Sequence, residues 1–186
     1  MTRNIIGKKI LVKGIVQGVG FRPTVYTYAM SSNLTGWVRN TSSGVEIQVT
    51  GSPESVTVFL NQLRSNPPPL AKIDSFSVED IPPLFKDDFQ ILTSEPEEGD
   101  FLPVSVDLNI CPDCMRELFD PSDRRFRYPF INCTNCGPRF TIIQDIPYDR
   151  VKTTMSAFQM CPACEKEYHD PQNRRFHAQP IACPDC

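Results

Sequence analysis

The stretch Gly14-Ile15-Val16-Gln17-Gly18-Val19-Gly20-Phe21-Arg22-Pro23 decides how the first half of the chain is read. The apolar, β-branched run Ile10-Leu11-Val12 leads into it, and a helix-spaced segment follows it. The stretch therefore reads as a strand, a tight loop and a helix start. Gly18 and Gly20 can take positive φ and let the backbone approach a ligand closely. Pro23 suits the first helical position, where its missing N–H costs nothing. Free loop amides beside a helix N-terminus make an anion site, and Arg22 adds a planar fork of donors that matches phosphate oxygens. The same residues also describe an ordinary glycine-rich turn with a surface arginine. On residue chemistry alone the two readings stand level.

Outward from this loop, residues 8–16 predict a strand by their β-branched content. Val25, Tyr28 and Ala29 carry a helical spacing from Pro23 to a stop near Asn33. Residues 34–41 predict a second strand, Ser42-Ser43-Gly44 a hairpin turn, and residues 45–49 a third strand with one buried face. Ser52 can cap the next helix, with Pro53 at its first position. Val56, Phe59, Leu60 and Leu63 give that helix an apolar stripe, and Pro67-Pro68-Pro69 ends it. Residues 73–78 predict a fourth strand, and residues 89–91 a short edge strand. The order β-α-β-β-α-β predicts an α+β fold of the ferredoxin-like split βαβ type: an antiparallel sheet with two helices on one face. Trp37, the single tryptophan, reads as core packing. RNA-recognition modules share this topology, but residues 45–49 carry no aromatic on which a base could stack.

A second stretch, Gly36-Trp37-Val38-Arg39-Asn40-Thr41-Ser42-Ser43-Gly44, breaks the tie. Together the two stretches resemble the signature motifs of the acylphosphatase family. The first matches its phosphate loop through the terminal Phe-Arg, and the second its Gly-Trp-Val-x-Asn element. The resemblance implies phosphate binding by Gln17, Gly18, Val19, Gly20, Phe21 and Arg22, with Arg22 and Asn40 catalytic. Asn40 would orient the attacking water. The implied reaction, hydrolysis of an acyl phosphate, needs no side-chain nucleophile. It can rest on positioning and on stabilising charge on the phosphoryl oxygens. Neither histidine lies in this half, so a histidine-based mechanism would need a residue from the other.

At 186 residues the chain has room for one ordinary domain or two small ones. Its apolar share of 40% and charged share of 22% are those of a globular protein, and its apolar runs fall far short of the roughly 20 residues that span a bilayer. The N-terminus lacks a secretory pattern, so a cytoplasmic location is expected. A net charge of −3 argues against a dedicated nucleic-acid binder.

All eight cysteines lie from Cys111 onward. Without a secretory signal, their strict Cys-x-x-Cys pairing points to metal, not disulfides. Cys111, Cys114, Cys133 and Cys136 form one unit, and Cys161, Cys164, Cys183 and Cys186 repeat it 50 positions on. The repeat extends to Asp120-Pro121 with Asp170-Pro171, and to Arg124-Arg125-Phe126 with Arg174-Arg175-Phe176, so the segment is an internal duplication. Each pair of pairs can close a tetrahedral shell of four sulfurs around a structural Zn²⁺, two ions in all. Pairing within each unit is expected, with an interleaved arrangement open. His169 and His177 read as packing or surface, and the Arg124-Arg125-Phe126-Arg127 cluster as a solvated or interdomain face. The expected division is residues 1–94, an acidic linker at 95–104, and fingers at 105–150 and 151–186.

With Gly137-Pro138-Arg139-Phe140, Pro147-Tyr148-Asp149-Arg150 and Arg174-Arg175-Phe176-His177-Ala178-Gln179-Pro180, the chain resembles the N-terminal part of the hydrogenase-maturation carbamoyltransferases of the HypF type. That resemblance implies carbamoyl phosphate as substrate. It further implies transfer of the product through later domains to the C-terminal cysteine of a partner maturation protein. Those domains are missing from this sequence, which reads as a fragment keeping at most the first, hydrolytic step. Two other classes remain open: a non-catalytic anion-binding and docking module, and a zinc-ribbon nucleic-acid binder.

Overall fold

A computed structural model describes residues 4–95 and 105–186 of the chain. The first part runs β1 (Ile6–Ile15), α1 (Phe21–Ser31), β2 (Thr35–Thr41), β3 (Gly44–Gly51), α2 (Pro53–Ser65), β4 (Lys72–Ile81) and β5 (Phe89–Ile91). This is the expected split βαβ order. The strands lie in the order β4-β1-β3-β2-β5. Both helices pack one face of the sheet into a single core, where Val25 and Ala29 of α1 and Val56, Phe59 and Leu63 of α2 meet Ile10, Val12, Val38 and Ile47. Trp37 is buried, with the Arg39 guanidinium 4.8 Å above its ring.

Two expectations need correction. The sheet is not wholly antiparallel: β5 pairs parallel with β2, Gly36 opposite Phe89 and Val38 opposite Ile91. β4 runs down one edge, so the chain must reverse before returning along the far edge. Its neighbour there, β2, already runs in that returning direction. Nor does β3 have a single buried face. The segment after β4 reaches its polar side, where the Leu84 amide donates to Thr50 Oγ1 at 2.9 Å. Glu46, buried on that side, pairs with Lys9 at 2.7 Å and Arg39 at 2.7 Å. Burial pushes the Glu46 carboxyl up, and the two cations outweigh it, leaving the group below its ordinary range.

Helix starts follow local chemistry. Ser52 caps α2, its hydroxyl accepting from the Ser55 amide at 3.1 Å with Pro53 next in line. In α1 the helix begins two residues before Pro23, at Phe21, after Gly20 in the left-handed conformation (φ 79°). Pro23 is thus the third helical residue, still within the turn whose amides have no intrahelical acceptor.

Residues 96–104 of the expected linker lie outside the described residues. Glu95, its first residue, is tied to the sheet: its amide donates to the Asn40 carbonyl at 2.9 Å, and its carboxylate pairs with Arg39. The second part carries two equivalent helices, α3 (Pro112–Phe119) and α4 (Pro162–His169). Each starts on a Cys-Pro step, which puts one cysteine at the N-cap and the next in the first turn. The two units interlock. Thr134 donates to the Arg174 carbonyl through both its amide and its hydroxyl, each at 2.9 Å. Arg150 Nη1 donates to the carbonyls of Gln179 (3.0 Å) and Ile181 (2.7 Å). Among the described residues, no helix is long and apolar enough to cross a membrane.

Candidate functional site

The loop between β1 and α1 buries its side chains. Val19 and Phe21 are buried in the core. Gly18 (φ 71°) and Gly20 (φ 79°) take the left-handed conformation, open to glycine without steric cost. Among the described residues, the amides of Gly18, Val19 and Gly20 donate to no main-chain carbonyl. Gly18 and Gly20 border a small cavity, of about 20 Å³, that Arg22 and Asn40 also line.

Arg22 and Asn40 meet in this cavity, both buried, at 7% and 1% exposure. With the Asn40 oxygen toward the guanidinium, the orientation in which neither end of the amide faces its own kind, it accepts from Arg22 Nε at 3.3 Å and Nη2 at 3.2 Å. Gln17 takes a different part. Its side chain donates to the carbonyls of Thr41 (2.8 Å) and Gly44 (2.9 Å) and accepts from the Tyr148 amide at 3.0 Å. That side chain clamps the loop to the β2–β3 turn, leaving Gln17 only its main chain for an anion.

The four sulfurs of each cysteine unit converge, Cys111, Cys114, Cys133 and Cys136 in one group and Cys161, Cys164, Cys183 and Cys186 in the other. The interleaved pairing is thereby ruled out. Neighbouring sulfurs stand 3.6 Å apart at Cys111–Cys133, 3.8 Å at Cys133–Cys136 and 3.8 Å at Cys161–Cys186. Four Zn–S bonds of about 2.3 Å in a tetrahedron place sulfurs about 3.8 Å apart, so the donor sets fit zinc in size and softness. Main-chain amides add to the fit, that of Cys111 donating to Cys136 Sγ at 3.2 Å and that of Cys186 to Cys183 Sγ at 3.3 Å.

Comparison with known proteins bears on both halves. The acylphosphatase family model matches residues 8–91, and the HypF finger model matches residues 110–143 and 160–186. An acylphosphatase of Caldivirga maquilingensis is 48% identical over 73 residues, 76% of its length and 38% of this chain. A probable carbamoyltransferase HypF of Methanocaldococcus jannaschii is 50% identical over 147 residues, covering 76% of this chain and 19% of that protein. The crystal structure of full-length HypF in its phosphate- and nucleotide-bound form superposes with a TM-score of 0.93 at 55% identity, over 98% of this chain and 24% of that one.

The chain belongs to the acylphosphatase family and carries HypF-type fingers. It matches the N-terminal region of HypF carbamoyltransferases and spans about a fifth of the length of those relatives.

In this member of the acylphosphatase family the fingers do more than follow the glycine-rich loop in sequence. Thr134, Tyr148, Phe176, His177 and Gln179 form the cavity's other wall, and Asp149 Oδ1 accepts from Arg22 Nη2 at 3.2 Å. The Tyr148 ring lies so close to Gly18 that a Cβ there would stand 2.8 Å from it. None of these residues was singled out as a site residue by sequence reasoning. Tyr148 and Asp149 did fall in one quoted motif and Phe176, His177 and Gln179 in another, yet nothing in spacing or composition joins either to a loop about 130 or more positions earlier. His177 is neutral near pH 7: burial, then the charge of Arg22, push its imidazole down to about 4, His169 acting the same way and Asp149 against it.

The contact at Gly18 is testable. Gly18→Ala strains a left-handed backbone and displaces an aromatic ring, so a loss of about 2 kcal/mol is expected. At Gly20 the backbone strain is similar but a Cβ would meet only the Thr134 side chain, at 3.3 Å from Oγ1 and 3.5 Å from Cβ, so Gly20→Ala is expected to cost less. Thermal melting of the two variants reads the difference, and equal melting points would contradict the packing of Tyr148 on the loop.

Of the two uses expected for the Arg124-Arg125-Phe126-Arg127 cluster, a solvated or an interdomain face, Arg124 and Arg125 take the second. Arg125 and Arg175 are buried, at 5% and 4% exposure, not solvated. Arg124 of the first HypF-type finger donates from Nη1 to Cys186 Sγ (2.7 Å) and Cys164 Sγ (3.3 Å) of the second. In return, Arg174 of the second donates to Cys114 Sγ of the first at 3.0 Å. Glu167 holds Arg124 and Arg125, and Glu117 holds Arg174 and Arg175. Each sulfur cluster is thus backed by the other finger's arginine.

Proposed function

We propose that this chain hydrolyses small acyl phosphates, and carbamoyl phosphate in particular, as the first step of a carbamoyl transfer completed by later parts of a longer HypF-type protein. The juxtaposition of Arg22 and Asn40 beside three free loop amides carries the reading. The amides of residues 17–22 and the guanidinium hold the phosphoryl oxygens, where the N-terminal end of α1 adds positive potential. Asn40 orients a water in line with the bridging oxygen. The water oxygen bonds to phosphorus as the bridging P–O bond breaks, and carbamate leaves as a carboxylate with that electron pair. Phosphate departs with the water's oxygen, and a proton passes to solvent. Catalysis rests on preorganised donors aimed at charge on the equatorial oxygens, without a covalent intermediate.

Zn²⁺ is the proposed metal of both cysteine clusters, one ion in each. Four thiolates fill each shell and leave no open position, so the role is structural. Carbamate needs a downstream acceptor, and the maturation protein whose terminal cysteine receives the carbamoyl group is the proposed eventual partner. A cytoplasmic setting suits such thiol-rich clusters. The three regions 1–94, 105–150 and 151–186 are retained as proposed units, with the fingers docked on the first.

The reading is tested by phosphate release from carbamoyl phosphate by this chain, beside its binding of inorganic phosphate. Steady release above the uncatalysed rate is expected. Tight phosphate binding with no release would favour the non-catalytic docking module.

A further inference from the structure

The two fingers are copies, yet they differ where the second meets the phosphate loop. Arg127 and His177 occupy equivalent positions, both in the left-handed conformation (φ 59° and 50°). Their amides make the equivalent bond, to the Leu118 carbonyl at 2.9 Å and the Tyr168 carbonyl at 3.0 Å. In the first finger Phe126 is 38% exposed and the Arg127 guanidinium lies over its ring. In the second Phe176 is 4% exposed, and the His177 ring is stacked between Phe176 (4.1 Å) and Tyr168 (5.2 Å). One backbone position thus bears a surface cation in one copy and a half-buried imidazole lining the phosphate cavity in the other.

That imidazole is incomplete. Its Nδ1 is buried and has no hydrogen-bond partner. A buried polar atom left unpaired costs about 1–3 kcal/mol, so its survival in a tightly stacked ring points to a partner that arrives with the ligand. The phosphoryl group is already provided for by the loop amides and Arg22. What remains of an acyl phosphate to be recognised against the finger wall is its acyl end.

We propose that His177 is a specificity-determining residue of the phosphate cavity, its Nδ1 accepting a hydrogen bond from the amino group of a carbamoyl phosphate. The inference rests on the acyl-phosphate reading and deepens it. The phosphate loop reads the anion, and the second finger reads the acyl group. Acetyl phosphate has nearly the same size and shape but a methyl group where the carbamoyl has its amino group. It leaves Nδ1 unpaired, and the site rejects it for that reason.

The test compares carbamoyl with acetyl phosphate in wild-type chain, His177→Leu and His177→Asn. Leucine fills volume without an acceptor, whereas asparagine tolerates the left-handed backbone and keeps an oxygen close to where Nδ1 lies. Wild type is expected to favour carbamoyl phosphate in kcat/KM. The leucine variant should lose about tenfold of that preference, the scale of one neutral hydrogen bond, with kcat/KM for acetyl phosphate little changed. The asparagine variant should recover most of the preference. An unchanged carbamoyl-to-acetyl ratio in the leucine variant overturns the proposal, as does an equal fall for both substrates. Should wild type release phosphate from neither, the hydrolytic reading fails by itself. The preference is then measured by calorimetric binding of the two compounds, and equal affinities in wild type overturn the proposal. Should the leucine variant not fold, His177→Phe, which keeps a stacked ring without an acceptor, takes its place: a loss of the preference relative to wild type and the asparagine variant supports the proposal, and an unchanged ratio overturns it.

Discussion

Arg22→Ala and Asn40→Ala are each expected to lower phosphate release from an acyl phosphate by about 10²-fold or more, the scale set by removing one preorganised donor from a water-excluded site. The two losses should not be equal. Arg22 is held by Asn40 on one side and by Asp149, at 3.2 Å, on the other. Removing the guanidinium deletes the main positive charge of the cavity and leaves the Asp149 carboxylate facing a site meant for a dianion, so both phosphate affinity and turnover fall. Removing the Asn40 carboxamide leaves the cation and its carboxylate in place, so inorganic phosphate still binds while turnover drops. Arg22→Lys keeps the charge and loses the planar fork, and an intermediate loss is expected. The double variant Arg22→Ala with Asp149→Asn separates charge from geometry. Recovery of phosphate affinity without turnover in that variant would assign the binding loss to Asp149 and the rate loss to the missing fork. Wild-type rates in both single variants would remove the hydrolytic site assignment altogether.

How much of this was legible in the sequence follows from the range of the interactions. Strand, loop and helix around Gly18 and Gly20 are local, and so is the Ser52 cap; both could be read from residues a few positions apart. The Cys-x-x-Cys units were legible because two ligands on one tight turn are a local geometry, repeated. Register across the sheet was not. Whether β5 runs parallel to β2 depends on which edge the returning chain reaches, and three residues of strand say nothing of that. The use of the finger arginines was legible only as a pair of alternatives, for a related reason. Acidic side chains slightly outnumber basic ones beyond residue 100, and a balance of charges fits a solvated face as well as an interdomain one, the use the contacts show. The contacts that matter pair Arg124 with sulfurs 40 and 62 positions away. His177 was set aside on sound local grounds, since each metal shell was already full. Only the fold brings it to Arg22.

The same long-range contacts make metal removal a severe perturbation, and one whose effect should not stay in the fingers. Stripping metal with a strong chelator is expected to unfold the region from residue 105 onward, because each finger has only a few buried apolar side chains, among them Ile131 in the first and Tyr168, Ala178 and Ile181 in the second. Binding of a structural Zn²⁺ is worth roughly 10–16 kcal/mol, as much as the whole net stability of a typical domain, and in such small units it is also their folding energy. The reciprocal arginines then couple the two sites. Arg124 donates to Cys186 and Cys164 while held by Glu167, and Arg174 donates to Cys114 while held by Glu117. Losing either cluster therefore leaves a partly buried guanidinium of the other finger without its sulfur partners, so Cys164→Ser is expected to speed metal release from the first cluster as well. Arg124→Ala should do the same to the second cluster, by about tenfold for a charge-assisted bond. Chelator-driven release followed with a zinc-sensitive dye, together with far-ultraviolet circular dichroism, reads both effects. The sheet, with its own core of Ile10, Val12, Ile47 and Phe59, should keep its strand signal while the cavity loses Tyr148, Asp149 and His177 from its wall. Phosphate release by the stripped protein should accordingly fall although Arg22 and Asn40 are untouched, and any remaining activity should no longer distinguish carbamoyl from acetyl phosphate. Full activity with unchanged preference after complete metal loss would show that the finger wall contributes nothing to the site, and independent release from the two clusters would show that the exchanged arginines do not couple them.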